Sequence, residues 1–184
     1  FNGTIGFEDL RTQNTVAYIS PAFGGFTFAG AFVSPGSDDF AEAWSIAGMY
    51  TLGGLNVSLA YEGFDDDFAE SQGTAEDKWT IGASYDFGNF GVAGRYEGQG
   101  SNWGFEDDND DPLDSDVDNW QISGKYKFGN NVVKAMYGDH DPDEADDTSS
   151  WGIGFDHNFS KRSQLYVQWV DKDDNWDRSE ERRV

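Results

Sequence analysis

At 184 residues the chain has the length of one β domain, or of part of one. A net charge of −23 and a pI near 4.1 exclude a direct nucleic-acid role, which needs a cationic footprint, and the lack of cysteine excludes disulfides, thiol catalysis and thiolate metal sites. Aromatic residues at 16% and 23 glycines separate it from disordered acidic chains, and no apolar run is long enough for a transmembrane helix, which leaves a barrel of alternating strands open.

Phe1 to Gln13 has no clean period and reads as loop. Asn14 to Ser20 is a first strand with Val16 and Tyr18 on one face. Pro21 to Gly25 is a turn, and Phe26, Phe28, Gly30 and Phe32 alternate with Thr27, Ala29 and Ala31 on the return. Trp44-Ile46-Gly48-Tyr50 then turns through Thr51 to Gly54 into Leu55-Val57-Leu59-Tyr61. The same unit recurs three times. Trp79-Ile81-Ala83-Tyr85 returns as Phe90-Val92-Gly94-Tyr96, and Trp120-Ile122-Gly124-Tyr126 as Val133-Ala135-Tyr137. Trp151-Ile153-Phe155 turns through Asn158 to Ser163 into Leu165-Val167-Trp169.

Short turns built on Gly or Asn alternate strictly with long acidic connections at 34–43, 63–77, 98–118 and 139–150. The spacing between the repeat-opening tryptophans varies (35, 41 and 31 residues), so the units are hairpins of an up-and-down meander and not stacked repeats of fixed period. The predicted fold is all-β, an antiparallel up-and-down transmembrane β-barrel of which the chain holds about ten strands.

Successive strand side chains point to opposite faces, so each hairpin has one apolar and one small, polar face. On the apolar face Trp44, Tyr50, Tyr61, Trp79, Tyr85, Tyr96, Trp120, Tyr126, Tyr137, Trp151 and Trp169 collect at strand ends, with Ile, Val, Leu, Gly or Ala between. Bilayer interfaces select that distribution, because a Trp or Tyr ring sits in the apolar layer while its donor stays wet. A strand of about nine residues also suffices for a tilted crossing. The opposite face carries Thr80, Arg95, Glu97, Gln121, Lys125, Lys134 and Asp156, suited to a water-filled lumen. The competing reading is a soluble or secreted acidic binding domain of lectin or adhesin type, whose polar face would simply be solvated.

Two stretches resemble a known family. Asn14-Thr15-Val16-Ala17-Tyr18-Ile19-Ser20-Pro21-Ala22-Phe23-Gly24-Gly25-Phe26 is similar to the Asn-Ser-Ile-Arg-Tyr-x-Ser-Pro-x-Phe-x-Gly-Phe stretch of Gram-negative general porins. Asn158-Phe159-Ser160-Lys161-Arg162-Ser163-Gln164-Leu165-Tyr166 resembles their Asn-Leu-Ser-Lys-Arg-Thr-x-Leu-Tyr signature. With the hairpins between, the resemblance covers residues 1–177. It implies a sixteen-stranded outer-membrane barrel, usually a homotrimer, contacting lipid and lipopolysaccharide and passing small hydrophilic solutes and ions by diffusion. It further implies that 1–13 is the tail of a constriction loop, that 14–170 holds the strands, and that earlier strands, a signal peptide and a closing strand lie outside this sequence. Ala17 stands where the family has a lumen-facing Arg. Residues 178–184 break the acidic, aromatic style and read as a non-native, adapter-derived tail.

On this map Glu8 and Asp9 belong to the acidic rim of the constriction, and Arg11 begins the facing wall. Arg95, Glu97, Lys125 and Lys134 line the pore, where opposed charges screen solutes by a transverse field. Negative loops at the mouth predict a preference for cations. Calcium is a weaker expectation, because neither 107–111 nor 139–144 has the spacing of a calcium loop. Catalysis finds no support. His140 and His157 lack metal-ligand spacing, carboxylates are too many to single out a pair, and no cofactor is expected.

Overall fold

The structure is a computed structural model, and it describes residues 14–34, 42–72, 75–102, 116–142 and 147–172. Ten strands run in chain order: β1 (Thr15–Ile19), β2 (Phe26–Val33), β3 (Ala43–Leu52), β4 (Leu55–Phe64), β5 (Ala75–Asp86), β6 (Phe90–Asn102), β7 (Val117–Phe128), β8 (Asn131–Pro142), β9 (Thr148–Ser160) and β10 (Ser163–Lys172). All ten form one sheet in sequential order, every pair antiparallel, with β1 and β10 as its edges. This is the up-and-down meander that the alternation predicts, with the predicted hairpins β1–β2, β3–β4, β5–β6, β7–β8 and β9–β10.

Tight turns fix the register at one end of the sheet. Gly53 (φ 58°) and Gly129 (φ 56°) take left-handed conformations that a side chain disfavours, closing the β3–β4 and β7–β8 hairpins with two-residue loops. The β9–β10 turn is tighter than the sequence suggests. β9 runs on to Ser160, leaving only Lys161 and Arg162 as the loop, and Ser160 Oγ accepts the Arg162 amide at 3.1 Å.

At the other end the strands outlast the apolar pattern. β5 starts four residues before Trp79, β6 continues to Asn102, and β8 reaches Pro142. The stretch 63–77, expected to be one acidic loop, instead holds a seven-residue helix, α1 (Asp66–Gln72). Asp65 caps it, its Oδ1 accepting the Asp67 amide at 3.2 Å and its carbonyl the Ala69 amide at 2.8 Å. Acids in the first turn favour the positive helix end. No helix among the described residues is long and apolar enough to cross a membrane.

The sheet has no conventional core. Most of its large apolar side chains stand exposed on one face, Ile46 at 57% and Leu59 at 56% among them, while buried polar groups such as Glu97 and Asn119 lie on the other. A soluble domain inverts that arrangement.

Candidate functional site

Two belts of aromatic rings cross the apolar face. Near the long connections, Trp44 packs on Tyr61 (ring centroids 5.4 Å apart), Trp79 on Tyr96 (5.1 Å) and Trp120 on Tyr137 (5.5 Å). The register continues the row, because Tyr61 pairs with Trp79, Tyr96 with Trp120 and Tyr137 with Trp151. Trp and Tyr thus alternate along seven rings from Trp44 to Trp151. Trp169 lies on the same face of the edge strand, opposite Ile153.

Glycine shapes this belt. Trp44 pairs with Gly63 and Trp79 with Gly98. A Cβ on Gly63 would meet Trp44 Nε1 at 2.7 Å, and one on Gly98 would overlap the Trp79 ring. Both indoles therefore lie down over bare backbone.

The second belt, near the tight turns, contains Tyr50, Tyr85 and Tyr126. It also contains phenylalanines that the sequence reading left out of the girdle. Phe26 packs tilted with its ring centroid 4.5 Å from that of Tyr50, Phe87 likewise 4.5 Å from Tyr85, and Phe90 stacks 4.4 Å from Tyr126. Their signal was their position beside the turns. A ring without a polar tip is still suited to the apolar margin of an interface.

The polar face carries an ordered set of charges. Arg95 and Glu97, two apart on β6, share it, with Arg95 Nη2 2.7 Å from Glu97 Oε2. Glu97 also accepts Thr80 Oγ1 at 3.1 Å and Gln99 Nε2 at 2.8 Å, and is only 3% exposed. Three donors on one buried carboxylate make it an anchor for its neighbours. Nearby, Lys78 is 4% exposed, with Nζ 5.5 Å from the centre of the Phe64 ring. Asn119 Oδ1 lies 2.6 Å from His140 Nδ1.

Toward the tight turns, Lys125 Nζ lies 3.2 Å from Asp86 and Lys134 Nζ 3.0 Å from Asp156. A cavity of about 300 Å³ opens beside them, bounded by Asn56, Ser84, Asp86, Ser123, Lys125 and Lys134. The structure thus brings Arg95, Glu97, Lys125 and Lys134 to one face, in two separate groups. Glu8, Asp9 and Arg11 lie outside the described residues, as do the acidic run 107–111 and residues 143–144 and 178–184. Among the described residues no cluster of His, Asp or Glu is arranged to hold a metal ion.

Comparison with known proteins agrees with this antiparallel sheet. The chain superposes on the anion-selective porin from Comamonas acidovorans with a TM-score of 0.67 at 22% identity, covering 87% of this chain and 49% of that one. A porin structure refined at 1.8 Å gives 0.67 at 20% identity, with 86% and 55% coverage. OmpT of Vibrio cholerae in its trimer form gives 0.63 at 16% identity, with 86% and 54% coverage. The chain therefore spans about half the length of these porins, and at such identities the likeness establishes the fold. A comparison with curated sequences returned no match. A family model described as Gram-negative porin matches residues 1–177. This chain, an antiparallel β-barrel wall of the bacterial outer membrane, belongs to the Gram-negative porin family.

Proposed function

We propose that the chain forms part of the wall of a water-filled channel through which small hydrophilic solutes and ions diffuse passively, with a preference for cations. The observation carrying this reading is the segregation of the two faces. Two aromatic belts bound an apolar band on one side, and ion pairs and hydrogen-bonded polar groups cover the other. In a bilayer the first face meets lipid, with the belts at its interfaces, and the second meets water. No step of catalysis is needed. The wall selects by width and charge.

The cation preference rests on this chain's own charges, since likeness to an anion-selective porin at 22% identity speaks for the fold alone. The connections 34–43, 63–77, 98–118 and 139–150 hold 23 of the 35 acidic residues and none of the 12 lysines and arginines. The meander sends all four to the same end of the sheet. A mouth ringed by so much negative charge raises the local cation concentration. Glu8 and Asp9 would add an acidic rim at the constriction, opposite Arg11. Lipid, lipopolysaccharide and two further copies of the chain in a trimer complete the set of partners this reading calls for.

The test is single-channel recording from the protein of the complete reading frame, in a planar bilayer with a potassium chloride gradient. Stepwise conductance with a cation-selective reversal potential is expected. Anion selectivity would overturn the preference, and absence of channels would overturn the diffusion reading itself.

A further inference from the structure

One row of the sheet places two cations directly against each other. Across five strand pairs the register runs Asp86, Gly91, Lys125, Lys134, Gly154 and Gln168. Lys125 and Lys134 are direct partners on β7 and β8, where like charges ordinarily repel. The side chains resolve this by leaning apart. Lys125 crosses Gly91 to reach Asp86 at 3.2 Å, and Lys134 passes over Gly154 to reach Asp156 at 3.0 Å.

Both crossings need bare backbone. A Cβ on Gly91 would overlap Lys125 Cε and press on its Cγ at 3.2 Å. One on Gly154 would meet Lys134 Cε at 2.7 Å and its Cγ at 3.0 Å. In each case the obstructed atoms belong to a flexible side chain, so the lysine gives way before the strand does.

We propose that Gly91 and Gly154 are positioning residues for selectivity, seats that hold Lys125 and Lys134 flat against the pore wall beside Asp86 and Asp156. This rests on the reading of the polar face as a lumen. Laid down, each stem covers backbone while its ammonium is paired at the wall, so the row adds little net positive field to the water path. With either seat filled, the ammonium would stand away from its carboxylate and into the lumen. The anion permeability of the channel would then rise although no charge had been added.

The test compares Gly91→Ala, Gly154→Ala and Gly91→Ala/Lys125→Ala in the protein of the complete reading frame. Each single variant is expected to raise the chloride-to-potassium permeability ratio about twofold, the scale of one weakened surface ion pair. The double variant should match Lys125→Ala alone. Gly94→Ala is the control, because its Cβ would meet nothing closer than the Gln121 carbonyl at 3.8 Å. A second readout does not require a channel. In refolded protein the acylation rate of Lys125, followed by mass spectrometry, should rise in Gly91→Ala and stay unchanged in Gly94→Ala. Unchanged acylation would overturn the seat. Raised acylation with an unchanged permeability ratio in working channels would overturn its role in selectivity. Missing channels in the unmutated protein would instead count against the diffusion reading, leaving the acylation result to judge the seat. If Gly91→Ala fails to fold, rescue by Lys125→Ala supports the clash, and failure of the double variant refutes it.

Discussion

Replacing Ile46 by Arg tests the assignment of the two faces most directly. Ile46 stands on the apolar face two residues from Trp44 and four from Tyr50, pairs with Gly30 and Tyr61, and is 57% exposed. A strand rises about 3.3 Å per residue, so Ile46 lies about 7 Å along β3 from the Trp belt. At a tilt of about 40° that becomes a depth of about 5 Å. Arg costs about 2–4 kcal/mol at the bilayer midplane and about 0–1 kcal/mol near the interfaces. At this intermediate depth Ile46→Arg should cost about 2 kcal/mol. Ser45→Arg, one residue away on the polar face, should cost well under 1 kcal/mol, because its side chain enters water. The assay is equilibrium denaturant unfolding of the protein refolded into phospholipid vesicles, read as a shift of midpoint at constant slope. Equal costs at the two positions, or a greater cost at Ser45, would refute the face assignment.

Three further outcomes follow from the same geometry. Gly98→Ala should displace the Trp79 ring it supports and destabilise the protein by about 1–3 kcal/mol, the usual range for overpacking, with a shifted tryptophan emission in lipid. An unchanged spectrum and midpoint would show that the ring has another place to lie. In the proposed channel, current should be asymmetric with voltage polarity, because the four long connections carry 23 acids while Lys161 and Arg162 form a tight turn at the other end of the sheet. The asymmetry should fade in about 1 M salt, where the Debye length falls to about 3 Å, and its persistence there would exclude a surface-charge origin. Asp141 lies four residues beyond Tyr137, outside the apolar band. Its carboxyl is held above the ordinary range, chiefly by a hydrogen bond and repulsion from Asp147, with Asp139 and Asp118 adding to it. A raised carboxyl pKa destabilises the fold above that pKa, and the cost disappears as pH falls toward the ordinary Asp range. Acidification through that window should therefore narrow the stability gap between the native protein and Asp147→Asn, measured as unfolding midpoint against pH. A gap independent of pH would exclude the coupling.

The meander was legible because period-two alternation repeats, in four of the five hairpins with a Trp at the opening and an aromatic residue at the close of the first strand. The β3–β4 hairpin was legible from Trp44 to Tyr61, but its turn, read as Thr51 to Gly54, is only Gly53–Gly54, with Thr51 and Leu52 paired to Asn56 and Leu55. What escaped the sequence were features that depend on neighbours distant in the chain. In Asp65 to Gln72 the acids look like a solvated loop until Asp65 is seen capping a helical turn. Glu97 looks like a lumen charge of the same kind as Arg95, yet three donors from β5 and β6 surround it and it is almost fully buried. Of the phenylalanines of the turn-side belt, Phe26 and Phe90 open strands and Phe87 lies in a turn. Their place beside the turns is the only hint, and the contacts of Phe26 with Tyr50, Phe87 with Tyr85 and Phe90 with Tyr126 mark them as part of a belt.

The glycines carry the same lesson with a functional edge. In the sequence, Gly63, Gly91, Gly98 and Gly154 look like interruptions of strands, where glycine costs stability and suggests a bulge or a turn. In the sheet, each lies beneath a large side chain from an adjacent strand: Trp44 over Gly63 and Trp79 over Gly98 on the apolar face, Lys125 over Gly91 and Lys134 over Gly154 on the other. A wall one sheet thick has no core in which to bury such groups. It can only lay them along itself, and a missing Cβ on the next strand is what makes room. On one face that fixes the angle of an indole at the membrane interface. On the other it lays a lysine ammonium beside a carboxylate, which in the proposed channel keeps a fixed positive charge out of the water path. The loss of intrinsic strand stability at these positions is thus tied to the orientation of the large side chains on both faces. Filling the two kinds of seat should produce different defects: stability and indole environment on the lipid face, ion preference on the polar face.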